Sequence, residues 1–412
     1  MHVNRREGRH SVSGGLGRWV AAALAACVLA LAGCASTLPD MNPFSGPPFG
    51  PSATTTPTEA PLPGTIGAGG VRVALLLPLS APGNAGQVAQ SMRNAAELAL
   101  AEFANPDIQL IVKDDGGTAQ GAQVAAQAAI AEGAEIVIGP LFSNAVAAAG
   151  QVTRSRNIPM IAFSTDASVA GRGIYLLSFS PESDVERVIT YAASRGKRSF
   201  LALLPDNAYG GVVEARFQET LAERRARVVA LERYSAEQPQ LAEQIKRLAA
   251  ALRQADSIFI ADAADSTPQI LQQLAQAGIR PGRLQFIGTG LWDDPKLFTN
   301  PNLVGAWFAA PEATGYRAFA QRYKARFGRD PARTASLAYD AVSLIAALVK
   351  TQGPNRFSAE VLMNPSGFAG IDGVFRFKND GTSERGLAVF EIRGNTTRVI
   401  SPAPKNFTGP GL

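Results

Sequence analysis

The side chains able to do covalent chemistry are few, and they sit at one end of the chain. Among 412 residues there are two histidines and two cysteines, and His2, His10, Cys27 and Cys34 all fall within the first 34 positions. Beyond them nothing can build a Ser-His-Asp or Cys-His nucleophile, a His/Cys metal site or a disulfide. What is left is oxygen and aromatic chemistry. Asp114 and Asp115 form a paired carboxylate after an apolar run. Ser80, Ser143, Asn144, Ser164 and Thr165 offer hydroxyl and amide groups, Asp265 a carboxylate, and Phe163, Tyr209 and Trp292 aromatic faces. Hydroxyls beside a helix start suit an anion, because the free N–H groups there point outward. This is equipment for binding. No catalytic residue, cofactor or metal is assigned, and the chain is not expected to be an enzyme.

Cys34 has a different use. Residues 1–18 are basic, with Arg5, Arg6, Arg9 and Arg18 against Glu7, and residues 19–31 run without a charge. That is a signal-peptide layout, too short in its apolar part for a stable bilayer span. It ends in Leu31-Ala32-Gly33-Cys34, a tetrad that resembles the bacterial lipobox. The resemblance implies cleavage before Cys34, a diacylglyceryl group on its sulfur, and attachment to a membrane outside the cytoplasm. Ala35, where inner-membrane retention would use Asp, points to the outer membrane.

Removing the leader takes the formal charge from +5 to +2, because four arginines and one glutamate leave with it. No concentrated basic patch remains, so nucleic acid is not an expected partner. Residues 35–70 hold eight prolines and six glycines, with Asp40 and Glu59 as their charges. They lack apolar periodicity and read as a disordered tether. Such a tether spans roughly 110 Å extended and roughly 35 Å as a coil. Gly67-Ala68-Gly69-Gly70 precedes a strand instead of following one, so it is assigned to the tether and not to a nucleotide loop.

The elements that must position the binding groups alternate. Val71–Leu77 reads as a strand buried on both faces. Helix Gln87–Phe103, strand Ile108–Lys113, helix Gln120–Glu132, strand Ile136–Gly139, helix Asn144–Arg156 and strand Pro159–Phe163 follow. A second series runs through helix Val185–Ser194, strand Phe200–Leu204, helix Gly211–Arg224, strand Arg227–Tyr234, helix Leu241–Gln254, strand Ser257–Ala261, helix Pro268–Ala277 and strand Leu284–Ile287. Such alternation predicts an α/β fold of two lobes, each a largely parallel sheet flanked by helices. Tyr316–Phe327 and Ala332–Lys350 read as helices. Residues 371–377 and 387–393 read as paired strands around Asn379-Asp380-Gly381.

Several stretches, taken in order, resemble the type 1 periplasmic binding proteins, specifically the leucine/isoleucine/valine-binding branch. They are VRVALLLPLS at 71–80, VKDDG at 112–116, VIGPLFS at 137–143, IPMIAFST at 158–165, DNAYG at 206–210 and GIDGVFRFKNDG at 370–381. The resemblance covers residues 71–393. It implies three crossovers, placed near residues 182, 312 and 352. Lobe 1 is then 71–182 plus 313–352, lobe 2 is 183–312 plus 353–393, and 394–412 is a C-terminal tail.

Ligands of open parallel sheets bind beyond the carboxyl ends of the strands. In family members that bind amino acids, Ser143, Ser164 and Thr165 match the groups that hold the ligand carboxylate. Ser143 and Asn144 also fit a helix cap. Tyr209 matches the tyrosine packed over the ligand. The second-lobe carboxylate that holds the ammonium falls at Ser266, with Asp265 adjacent, so Asp265 either takes that role or caps its helix. Trp292 either stacks on a ligand or packs between the lobes. The resemblance makes Asp114 and Asp115 structural. Two functions are compatible with it. One is a regulatory lipoprotein like the activators of penicillin-binding proteins, with a peptidoglycan synthase as partner. The other is a receptor delivering an amino acid or similar small polar solute to an ABC uptake transporter.

Overall fold

Apolar runs become the central strands of two sheets. The computed structural model of the chain describes residues 64–235 and 241–408. The leader, Cys34 and most of the proposed tether lie outside the described residues. In the first lobe the order is β1 (Thr65–Ile66), β2 (Val71–Leu77), α1 (Asn84–Glu102), β3 (Ile108–Asp114), α2 (Ala119–Ala131), β4 (Ile136–Ile138), α3 (Ser143–Ser155), β5 (Met160–Ala162) and β6 (Ile174–Leu176). The sheet order is β1-β3-β2-β4-β5-β6, parallel except for β1.

The second lobe holds α4 (Pro181–Ser194), β7 (Ser199–Pro205), α5 (Ala208–Glu223), β8 (Arg227–Tyr234), α6 (Leu241–Ala250), β9 (Ser257–Ile260), α7 (Thr267–Gln276), β10 (Gln285–Gly288), α8 (Pro295–Phe298) and β11 (Trp307–Ala310). Then come α9 (Ala313–Phe327), α10 (Ala335–Thr351), α11 (Ala359–Leu362), β12 (Phe368–Gly370), β13 (Gly373–Phe377), β14 (Ser383–Arg385), β15 (Ala388–Ile392) and β16 (Thr397–Ser401). The second sheet is ordered β16-β15-β11-β10-β9-β7-β8, with β15 and β16 antiparallel to their neighbours.

Each sheet is covered on both faces, which is why its strands are nearly continuous in Val, Ile and Leu. In the first lobe, Ala89, Met92, Ala96 and Ala99 of α1 share one core with Leu337, Ala338, Ala341 and Ile345 of α10. The small side chains let these helices lie close to each other and to the sheet. The opposite face carries the alanines of α2 and α3. In the second lobe α4 and α5 cover one face, with Phe217 stacked on Phe259 at 4.8 Å, and α6 and α7 cover the other.

Four expectations need correction. The fold begins before residue 71: Thr65 and Ile66 pair antiparallel with Ile111 and Leu110. The glycines assigned to the tether pack against β3, where a Cβ on Gly69 would fall 1.9 Å from the Ile108 nitrogen, so only glycine allows the approach.

The third crossover is not near residue 352. Leu362, Phe375 and Phe377 are buried in the first lobe's core beside Leu77 and Phe163, and the chain passes to the second sheet only between Arg385 and Ala388. Residues 371–377 and 387–393 do not pair with each other. The Asp380-Gly381 turn folds β13 onto β14, with Phe377 opposite Ser383, while β15 joins the other sheet with Phe390 opposite Phe308. A turn pairs the nearest residues that can reach, and residues 383–385 are nearer. Finally, 394–412 is not a simple tail. It contains β16, and Phe407 is 5% exposed, with Arg376 over its ring at 4.5 Å.

The three crossovers meet in one cluster. Phe179, on the first, lies under both Arg333 at 4.4 Å and Arg385 at 5.3 Å. Tyr316, just after the second, also has Arg333 over its ring at 4.3 Å. Arg385 begins the third and pairs with Asp340 of α10 at 3.7 Å, their side chains only 4% and 1% exposed. Arg333 is held by Asp372 through two bonds of 2.6 and 3.0 Å.

Candidate ligand-binding cleft

Topology places the cleft. β6 leaves the first sheet at its carboxyl end into the first crossover, and β11 leaves the second sheet at its carboxyl end into the second. The carboxyl ends of both sheets therefore open toward the crossovers, and the gap between the lobes collects the loops that follow the parallel strands. A cavity of about 530 Å³ opens beside the first crossover, between Thr165 of one lobe and Glu182, Glu186 and Arg216 of the other.

On the first lobe the loop after β4 needs Gly139, at φ +88°, where a Cβ would fall 2.0 Å from the Leu76 carbonyl oxygen. It delivers Ser143 to the first position of α3. The residue before it, Phe142, holds the cap position, and no side chain caps this helix. Ser143 and Asn144 are thus not caps, and Asn144 is exposed. After β5, Ser164 is 4% exposed and accepts a bond of 3.1 Å from the Asp166 amide. Thr165 is exposed. Asp166 closes this loop: its carboxylate accepts from the Ser168 amide and hydroxyl at 3.0 and 2.6 Å. Those bonds from Ser168 hold the Asp166 carboxyl below the usual range, outweighing the burial that pushes it up.

Two members of the expected set have other work. The backbone amide of Ser80 donates to Asp114 at 3.2 Å. Burial pushes the Asp114 carboxyl up, but bonds from Ser80 and Gly116 outweigh it and leave it below its ordinary value. Asp115 is buried, with one oxygen bonded to the Gly117 amide at 2.7 Å, and desolvation pushes it up to about 6. Phe163 is 3% exposed within the first lobe's core, so its ring offers no face to a ligand.

On the second lobe Tyr209 rides the first turn of α5, whose cap is Asn207 accepting from the Gly210 amide at 2.9 Å. The Tyr209 hydroxyl meets the Thr289 hydroxyl at 2.9 Å. Burial pushes the phenol well above its ordinary range, and the charges of Asp184 and Asp262 push in the same direction, so both carboxylates lie near it. Asp184, on α4, accepts from the Gly290 amide at 2.9 Å. Asp262 accepts from the Ala263 amide at 2.6 Å and the Ser266 hydroxyl at 3.1 Å.

Asp265 and Trp292 are placed differently from expectation. Asp265 has a side chain 86% exposed and pairs with Lys296 at 3.0 Å. It is neither a cleft carboxylate nor a cap, since Ser266 holds the cap position of α7. Trp292 is 0% exposed in the second lobe's core, and a Cβ on Gly288 would fall 2.1 Å from its Cδ2, so the ring lies against that backbone. It touches neither a ligand space nor the other lobe's core. The polar groups that the sequence reading missed are Asp166, Asp184 and Thr289. Asp166 follows the serine loop directly and was within reach. Asp184 is 106 residues from its amide partner Gly290, and no spacing rule connects them.

Desolvation pushes the Asp184 carboxyl up to about 7 from 3.8, with the Gly290 amide pulling it partly back and Glu182 pushing it further. Between those two values the folded chain binds a proton that the unfolded chain has released, so this group lowers stability as pH rises from about 4 to about 7. Asp184→Asn is expected to match the wild type near pH 4. At pH 8 it should be more stable by on the order of 1–2 kcal/mol, less than full linkage because the group keeps some solvent contact. Urea unfolding at the two pH values measures it, and an unchanged difference would remove the desolvated carboxylate.

Two αβα lobes joined by three crossovers at the carboxyl ends of their sheets form the two-lobed fold of type 1 periplasmic binding proteins. A sequence profile of the periplasmic binding protein family matches residues 70–397, and the chain belongs to that family. Solved structures share the fold. A Rhodospirillum rubrum protein provisionally named a branched-chain amino acid ABC transporter superposes with a TM-score of 0.72 at 19% identity, over 80% of this chain and 99% of that one. A periplasmic ligand-binding protein of a branched-chain amino acid ABC transporter from Burkholderia xenovorans gives 0.65 at 18% identity, over 82% and 97%. A leucine-binding protein from Thermotoga maritima gives 0.56 at 18% identity, over 81% and 98%. Among curated proteins, an uncharacterized protein of Rickettsia prowazekii (strain Madrid E) is 22% identical over 156 residues, 38% of this chain. That stretch spans 41% of the relative's own length. Among the described residues no helix is long and apolar enough to cross a membrane, and no group of His, Cys, Asp and Glu is set to hold a metal.

Proposed function

We propose that this chain is a solute receptor, held to a membrane through lipid on Cys34, that takes up a small polar ligand between its lobes for an ABC uptake transporter. The observation that carries this reading is the polar cavity of about 530 Å³ beside the first crossover, with Thr165, Ser180, Glu182, Arg216 and Thr382 in its lining. At the strand ends, Ser143 and the exposed Thr165 stand on one lobe and the half-buried Tyr209 on the other. The family membership and the transport names of the structural neighbours support it in the same direction. Exposed Phe142, Val212 and Leu291 follow strand ends on both lobes and would supply apolar cover for a ligand.

The regulatory reading, an activator docking on a peptidoglycan synthase, keeps one observation in its favour. Asp265, the residue beside the family's ammonium-holding position, is spent on Lys296 at the surface. Calorimetry of the purified protein against a panel of amino acids and amines separates the two. A receptor binds one panel member with micromolar or tighter affinity, and Tyr209→Ala weakens it at least tenfold. Silence across the panel, together with co-purification of a peptidoglycan synthase, would overturn the receptor reading.

A further inference from the structure

We propose that this chain holds a second site, for a small organic anion with an apolar body, in a cavity beside the third crossover where Arg187 and Arg224 carry no counter-charge. The site needs no solute between the lobes, so it stands or falls apart from the receptor reading.

The cavity measures about 590 Å³, inside the range of roughly 300–1,000 Å³ that suits a small-molecule ligand. Helix α4 forms one wall. Ser183, Glu186, Arg187 and Thr190 line it, and at positions i, i+3, i+4 and i+7 they form one stripe of the helix. Val185, Val188 and Ile189 of the same helix are buried in the second lobe's core. Arg376 and Glu384, on β13 and β14 of the first lobe, stand on another side. The third crossover passes along the space through Gly386 and Leu387, and the chain after β16 bounds it with Pro402, Pro404 and Phe407. Ser183, Glu186 and Glu384 also line the cavity beside the first crossover, so the two spaces are neighbours. Arg187 and Arg224 line the second alone.

Both acids in the lining are already matched. Glu186 pairs with Arg216 at 2.6 Å and Glu384 with Arg376 at 2.9 Å. Arg385 pairs with Asp340. Arg187 and Arg224 are left over. Arg187 is half-buried. It donates from Nε to the Leu387 carbonyl at 2.8 Å, and from Nη2 to the Ser401 hydroxyl at 2.6 Å and the Pro402 carbonyl at 3.3 Å. These acceptors are neutral, and its Nη1 has no partner among the described residues. The three bonds fix the guanidinium, so a ligand meets a donor already in place. Burial pushes Arg187 below its ordinary value, and no carboxylate is among the charges that act on it. Arg224 is exposed and spends its Nε on the Thr190 hydroxyl at 3.2 Å. A partly desolvated cation without a counter-charge gains most from an anion that brings one. Leu387, Pro404 and Phe407 offer the apolar side, which a bare inorganic ion would leave uncovered.

The test is calorimetry of the purified protein with hexanoate, hexyl phosphate, inorganic phosphate and hexylamine, on the wild type and on Arg187→Ala and Arg224→Ala. Circular dichroism reports folding. Arg224 is exposed and makes a single hydrogen bond, so its variant keeps the test open if Arg187→Ala fails to fold. The expected result is that hexanoate or hexyl phosphate binds the wild type and binds each folded variant at least tenfold more weakly. Inorganic phosphate and hexylamine should bind the wild type at least tenfold more weakly than the better hexyl anion. Silence toward both hexyl anions, a loss below tenfold in the folded variants, or inorganic phosphate or hexylamine matching the hexyl anions overturns the inference. Each of these outcomes leaves the receptor reading standing.

Discussion

Asp340→Ala is expected to destabilise the protein by about 3–5 kcal/mol, the cost of leaving a buried charge without its partner. Arg385 would remain between Phe179 and Phe375, with ring centres 5.3 and 5.4 Å from its guanidinium, in a site its side chain leaves only 4% exposed. Burial pushes the Asp340 carboxyl up, and Arg385 and the Ile371 amide pull it down. The pair is thus a compromise between desolvation and attraction. Replacing both partners, as Asp340→Leu with Arg385→Met, should cost much less than the single change, because no charge is then stranded. Urea unfolding of the three variants decides it. A single-variant loss below about 1 kcal/mol would mean that water reaches the pair. The site matters beyond stability, because Arg385 opens the third crossover and Phe179 belongs to the first. Loss of the pair loosens the place where the two lobes are joined.

Trp292→Ala should cost a similar amount, about 3–5 kcal/mol, since the indole is fully buried and a large cavity would remain. Its neighbours Leu297, Leu303 and Phe308 belong to the same core. Trp292→Phe should recover more than half of the loss. The sharper readout is ligand affinity measured on the folded fraction. A core tryptophan leaves it unchanged, whereas a ring stacked on the solute would cost tenfold or more on removal. Affinity that falls with Trp292→Phe would return this residue to the cleft.

Both residues illustrate how far local pattern reaches. Trp292 follows a strand expected to end at the cleft, and that expectation located β10 within a residue or two. Whether its side chain turns into the core or out of the loop depends on Gly288, which leaves room for the ring by lacking a Cβ. Arg385 follows a short strand and gives no local sign of burial. Its burial comes from Phe179, 206 residues earlier, and Asp340, 45 residues earlier. Asp166 shows the opposite case. The serine loop was legible because strand, turn and hydroxyls lie within a few residues, and the carboxylate that closes it on Ser168 is the next residue along.

The alternation of apolar runs and amphipathic stretches by itself determined two α/β lobes with buried parallel sheets. It did so because strand and helix periods are local, and because a continuous Val/Ile/Leu strand must be covered on both faces. The absence of histidine and thiol beyond Cys34 likewise determined that the domain lacks His- and Cys-based chemistry. Only the tertiary structure decided which lobe receives residues 353–386, which partners β13 and β15 choose, and that residues 64–70 and Phe407 are packed. It also decided the partners of the acids: Asp184 accepts from the Gly290 amide, while Asp265 turns to Lys296 in solvent. Such choices depend on contacts between segments far apart in the chain, where the loss of one alternative to another is a matter of core volume and charge pairing that no short window of sequence contains.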